Sequence, residues 1–201
     1  MPVRKGEQTQ ALILNEALSF ASLVGLEGLS IGALAERLGL SKSGLFAHFG
    51  SKEDLQLQTL RQAQALFHER VFRPALEQDP GLPRLTALFS RWIQWLDGTP
   101  ETPGGCLLLT ASVEYDDRPG LVRDLLVSGQ RELRGAIAKL IRGAIEEGQL
   151  PSDTDPWQLT FEIFGAVLAA HHDHRLLRDS RAFERARAAF HRLIAACQDP
   201  L

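Results

Sequence analysis

Two amphipathic stretches of about eight residues flank the tripeptide Gly39-Leu40-Ser41. The first carries Ile31, Leu34, Ala35 and Leu38, and the second carries Leu45 and Phe49. Spacings of three and four predict two short helices. Gly39 can adopt the left-handed conformation that ends one helix sharply, and Ser41 can cap the next. This is the pattern of a helix-turn-helix, whose second helix enters the major groove of DNA.

The chemistry of the second stretch points the same way. Ser41, Lys42, Ser43 and Gly44 open it. Small side chains there let the backbone approach DNA, and Lys42 can meet a phosphate or a base edge. The helix N-terminus itself favours phosphate oxygens. Leu45 and Phe49 can face a core, leaving Phe46 and His48 on other faces. Lys52 falls in the first turn of the following helix, where a cation is unfavourable to the helix dipole and suits an external phosphate. The competing reading is an ordinary corner of two packed helices. Charge sharpens the choice. Residues 1–55 hold five basic residues (Arg4, Lys5, Arg37, Lys42, Lys52) against six acidic ones, a net of −1. A DNA-binding head is usually basic, so the positive charge must gather on one face. Affinity for non-specific DNA should be modest and fall steeply with salt.

The whole chain reads as helical. No stretch alternates as a strand would. A first helix spans about 8–24, and a fourth, capped by Ser51, runs towards Pro74. A fifth starts near Pro83 and a sixth spans about 106–115. A seventh covers about 121–147, an eighth runs from Pro156 behind an Asp155 cap, and a ninth spans about 180–196. At 201 residues and 44% hydrophobic the chain can bury a real core and is not a disordered polyelectrolyte. Two distant cysteines, no secretory signal and no apolar run of membrane-spanning length favour a soluble cytoplasmic protein.

The run "ILNEALSFASLVGLEGLSIGALAERLGLSKSGLFAHFGSKEDL" (13–55) resembles the N-terminal domain of the tetracycline-repressor (TetR/AcrR) family. The ending "LFAHFGSKEDL" is its most distinctive part. The resemblance implies an all-α fold with a DNA-binding head at 1–52 and a helical ligand-binding and dimerisation domain at 53–201. It implies a homodimer, joined through the eighth and ninth helices, that binds palindromic double-stranded operator DNA. The usual role is a repressor released by a small molecule. Carried over residue by residue, Ser30 and Ile31 approach the DNA backbone. Lys42, Ser43 and Gly44 face the major groove beside Ser41, which is counted with the DNA-binding residues, and His48 and Lys52 reach phosphates. Phe46 stands where the family usually has tyrosine, so one phosphate-bonding hydroxyl is missing. Arg4 and Lys5 are candidates for a basic arm. "GGCLLLTASVEYDDRPGLVRDLL" (104–126) resembles the C-terminal domain of a subgroup.

Further along, Phe89, Trp92, Trp95, Cys106, Leu109, Tyr115, Phe161 and Phe164 are candidates to line an apolar ligand pocket, with plain core as the alternative. Glu114, Tyr115 and the histidines of the eighth helix could add polar groups. His171, His172 and His174 with Asp173 form the most metal-like stretch, yet two ligands at helical spacing do not make a site. No metal or cofactor is expected beyond an unknown small-molecule effector. The alanine-rich faces of the last two helices suit a four-helix dimer bundle. No nucleophile motif or phosphate loop is present, so an enzyme is not expected. The remaining alternative is a helical interaction protein with a weakened DNA-binding head.

Overall fold

The structure is a computed structural model and describes residues 5–198. Arg4 lies outside the described residues, as does the side chain of Lys5. Among the described residues all regular structure is helical, apart from an isolated bridge between Thr99 and Thr102. The helices are α1 (Lys5–Val24), α2 (Ile31–Leu38), α3 (Lys42–Phe49), α4 (Lys52–Phe67), α5 (Arg73–Leu76), α6 (Leu82–Leu96), α7 (Leu107–Glu114), α8 (Leu121–Glu146), α9 (Pro156–Arg175) and α10 (Ala182–Gln198). Apart from the fourth, each helix expected from the sequence is present within a few residues.

The departure lies after α4. The sequence suggests one helix towards Pro74, but the α register stops at Phe67 and a π segment covers His68–Phe72. Proline has no N–H, and its ring crowds the carbonyl four residues back. The backbone answers by widening the turn before it: the Arg73 N–H bonds the His68 carbonyl, five residues back. The chain then carries Pro74 in the first turn of α5.

The described chain forms two compact units. The first comprises residues 5–66 and Gly98–Ser128. Its core is built from α1 (Ile13, Ala17, Leu18, Ala21), α2 (Leu34, Ala35), α3 (Leu45, Phe49) and α4 (Leu55, Leu60, Ala63). It is completed by Leu107, Ala111 and Tyr115 of the α7 segment and by Val122 and Leu126 of α8. One backbone crossing is especially close. The Gly104 N–H donates to the Ser22 hydroxyl at 2.9 Å, and a Cβ on Gly104 would lie 1.6 Å from the Ser22 carbonyl oxygen. Only glycine fits against α1 at that point.

The second unit comprises Phe67–Asp97 and residues 129–198. Its largely aliphatic core holds a cluster of aromatic side chains. Phe89 stacks on Phe190 at 4.3 Å between ring centroids. Trp92 meets Phe67 edge-on at 5.5 Å and Phe164 at 5.7 Å. Such geometries match the ring quadrupoles. Gln149 accepts from the Leu82 N–H at 2.6 Å and so caps α6, whose own cap position is Gly81. Asp155 caps α9 by accepting from the N–H groups of Trp157 and Gln158.

These contacts predict opposite effects for two glycine-to-alanine changes. Gly104→Ala should lose about 1–3 kcal/mol in urea unfolding, because the new methyl overlaps the α1 backbone. Gly135→Ala, mid-helix in α8 with nothing within 4 Å of the new Cβ, should gain about 0.5–1 kcal/mol.

Candidate functional site

The joint between α2 and α3 follows from its sequence. Ser30 caps α2, with its hydroxyl accepting from the Ala33 N–H at 3.2 Å. Gly39 takes φ 65° and ψ 26°. Its N–H bonds the Glu36 carbonyl while the Leu40 N–H bonds that of Ala35, the paired return bonds of a Schellman ending. Ser41 caps α3 by accepting from the Gly44 N–H at 3.1 Å. Ser51 does the same for α4 through the Asp54 N–H.

Leu45 and Phe49 anchor α3 in the core of the first unit, so its other faces point outward. Ser41, Lys42, Ser43 and Gly44 are exposed, Phe46 is 53% exposed, and His48 is half-buried. Ser30 and Ile31 are half-buried at the start of α2. The cations divide sharply. Arg37 pairs with Glu16. Lys52 donates to both the carbonyl and the carboxylate of Glu27, each at 2.9 Å. Lys42 has no ion pair among the described residues.

Glu27 is the centre of a polar cluster that sequence reasoning did not identify. The Tyr115 hydroxyl donates to its carboxylate at 2.7 Å, and the Arg118 guanidinium lies 3.3 Å away. Glu114 accepts from the N–H groups of Leu26 (2.9 Å) and Glu27 (3.1 Å). The Gln56 amide donates to the Leu26 carbonyl at 2.9 Å. Lys52's hydrogen bond, then Tyr115's, holds the Glu27 carboxyl below its ordinary range against a small opposing effect of burial. Burial first, then Glu27, pushes the Tyr115 hydroxyl well up, so it stays a neutral donor. Glu27, Lys52, Gln56, Tyr115 and Arg118 border an open cleft of about 310 Å³ that also touches Arg123. No local pattern announces this cluster, since its members stand up to 91 positions apart (Glu27 to Arg118).

The candidate pocket residues fall in two groups. Phe89, Trp92, Trp95 and Phe164 are buried together in the core of the second unit. Cys106, Leu109 and Tyr115 belong to the first unit and are buried there, with the Tyr115 hydroxyl turned to Glu27. Phe161 is 66% exposed on α9. The indole N–H groups of Trp92 and Trp95 are buried with no hydrogen-bond partner among the described residues, a costly state for a polar group. The same holds for Nε2 of His171, whose imidazole is kept below its usual range by burial, then by Arg175 and the neighbouring histidines. His172 meets Asp173 at 3.1 Å, and His174 meets Asp97 at 3.4 Å. Among the described residues no group of three or more His, Cys, Asp or Glu side chains could hold a metal ion. No described helix is long and apolar enough to cross a membrane.

The alanine-rich faces of α9 and α10 divide as well. Ala170, Ala182, Ala186 and Phe190 are buried inside the unit, whereas Ala169 is exposed. The large apolar side chains that α9 leaves exposed are Trp157, Phe161 and Leu168.

Comparison with known proteins gives concordant matches. The family model described as "Bacterial regulatory proteins, tetR family" matches residues 13–59. The one described as "Tetracyclin repressor-like, C-terminal domain" matches residues 81–190. A TetR transcriptional regulator from Chloroflexus aurantiacus J-10-FL is 25% identical, with a TM-score of 0.86 over 98% of each chain. A TetR-family regulator from Cytophaga hutchinsonii is 20% identical with the same score and coverage. AibR, solved in complex with isovaleryl coenzyme A and operator DNA, is 22% identical, with a TM-score of 0.71 over 90% of this chain and 97% of its own. Among curated proteins none matches the chain.

The Glu27 cluster makes a pH prediction. A carboxyl held below its ordinary value of 4.5 takes up a proton less readily in the folded chain than in the unfolded one. Its contribution is therefore complete above that value and lost as pH falls through the lower folded one. Urea unfolding of the native protein and of Glu27→Gln should differ most at about pH 6–7 and converge towards about pH 3. The gap should stay under about 1 kcal/mol, because water screens a half-exposed pair.

Proposed function

Because the chain belongs to the tetracycline-repressor family of bacterial regulatory proteins, we propose that it acts as a homodimeric repressor that a small molecule releases from palindromic operator DNA. The observation that carries the DNA reading is the presentation of α3. Its N-terminus is capped by Ser41, lined with small side chains, exposed, and topped by Lys42, which no acid neutralises among the described residues. Ser41, Lys42, Ser43 and Gly44 would meet the major groove. Ser30, Ile31, Phe46 and His48 would flank it on the backbone, with Phe46 offering apolar contact only. In an isologous dimer two such helices would stand about 34–36 Å apart, one turn of DNA.

The ligand reading draws on the second unit. An aromatic cluster with two indole donors that have no partner among the described residues supports an apolar molecule carrying a hydrogen-bond acceptor. AibR, whose complex holds a coenzyme A thioester together with operator DNA, shows that a protein of this fold can engage both. Release would follow from tighter ligand binding to the DNA-incompetent arrangement of the dimer. The exposed Trp157, Phe161 and Leu168 support α9 as part of the dimer face.

Titration of random duplex DNA against salt tests the reading. The native protein should bind at low salt and lose affinity steeply as salt rises. Lys42→Ala should weaken binding to this random duplex and flatten the log–log salt slope by about 0.9. No binding at low salt would leave a helical interaction protein instead. Apolar carbonyl compounds added to the same titration should include one that releases the DNA. The dimer is checked by sedimentation: Phe161→Glu with Leu168→Glu should shift the native dimer to monomer without loss of helical content.

A further inference from the structure

The Lys52 ammonium has three donors, and two of them are spent on Glu27, one on the carboxylate and one on the backbone carbonyl. Its charge is therefore met inside the protein. Glu27 does not depend on Lys52 for its own place. Its backbone is pinned by the Glu114 carboxylate, which accepts from the N–H groups of both Leu26 and Glu27. Its carboxylate keeps two further partners, the Tyr115 hydroxyl at 2.7 Å and Arg118 at 3.3 Å. Gln56 ties the Leu26 carbonyl to α4, the helix that carries Lys52. The acid is thus a fixed competitor at the start of α4, and it stays in position whether or not Lys52 leaves it.

We propose that Glu27 is a positioning residue that withholds Lys52 from the phosphate backbone, so that DNA is held without the charge of that lysine. This rests on the DNA-binding reading above and narrows it, because the lysine expected to reach a phosphate is neutralised in place. Counterion release counts only the phosphates that protein cations neutralise. A lysine already paired with a carboxylate adds nothing to that count. Glu27→Gln removes the charge and keeps the side-chain carbonyl available to Tyr115, so Lys52 is freed with little change of shape. Tyr115→Phe removes one bond to the acid and leaves its charge, so it separates support of the loop from neutralisation of Lys52.

The test is fluorescence anisotropy with a random-sequence duplex, titrated from low to moderate salt, for the native chain, Glu27→Gln, Tyr115→Phe, Lys52→Gln and the Glu27→Gln/Lys52→Gln pair. Melting curves check that each variant is folded. Glu27→Gln should bind about two- to fivefold tighter at low salt, with a salt slope steeper by about 0.9. Lys52→Gln alone should leave the native slope unchanged, while in the Glu27→Gln background it should abolish the gain. Tyr115→Phe should not steepen the slope. Weaker or unchanged binding by Glu27→Gln overturns the inference, as does a gain that survives loss of Lys52. A flattened slope for Lys52→Gln alone also overturns it, and this single change probes the pair even if Glu27→Gln fails to fold. If the native chain binds no duplex at low salt, the DNA-binding reading itself fails, a result distinct from each of these.

Discussion

The carboxylate of Glu114 sits on the backbone N–H groups of Leu26 and Glu27, and the first unit is organised around that contact. The turn between α1 and α2 has few internal hydrogen bonds, so its amides need an acceptor from elsewhere. Glu114 supplies one across 87 or more positions of sequence. The approach is close enough that a Cβ on Gly25 would fall 2.0 Å from the carboxylate oxygen. Gly25 takes φ 82°, a conformation that favours glycine, and a side chain there would push the Glu114 carboxylate aside. With the turn held, Leu26 and Leu29 reach the core, Ser30 is set to cap α2, and Glu27 is placed against Lys52. The presentation of α3 is downstream of all of this.

A second consequence concerns charge. A stretch such as residues 1–55, with a formal net of −1, can still offer a positive surface if its acids are used internally. Glu16 and Glu27 are used so, but each consumes a cation in doing it, Arg37 and Lys52 respectively. Lys42 at the tip of α3 is left to face outward. The charge that DNA would meet is set by pairing geometry, and composition is a poor guide to it.

Much of the fold was legible because its signals are local. Caps at Ser30, Ser41, Ser51 and Asp155, and the stop at Gly39, declare themselves within four residues. The core faces of α1 to α4 follow from spacings of three and four. Pro74 was legible as a problem, but the π widening that solves it was not, because a helix can also meet proline by ending. The aromatic residues of the C-terminal part were legible as buried without being legible as neighbours. Trp92 and Phe164 meet, whereas Tyr115 turns to Glu27 and Phe161 lies on the surface. Helical periodicity states which face of a helix is apolar and is silent on which other helix covers it.

By itself the sequence determined the helices, their ends other than that of α4, and the small-residue, lysine-tipped face of α3, since each depends on interactions within a turn or two of the chain. Its likeness to one family was carried by the same local run. Tertiary structure alone decided that α7 closes the core of the reading head, that Gly104 must touch α1, and that Glu27 gathers Lys52, Tyr115 and Arg118. These are contacts between segments 25 to 91 positions apart. Their energy is gained only after the chain has closed those loops, and nothing in the neighbouring residues encodes which partner will be waiting.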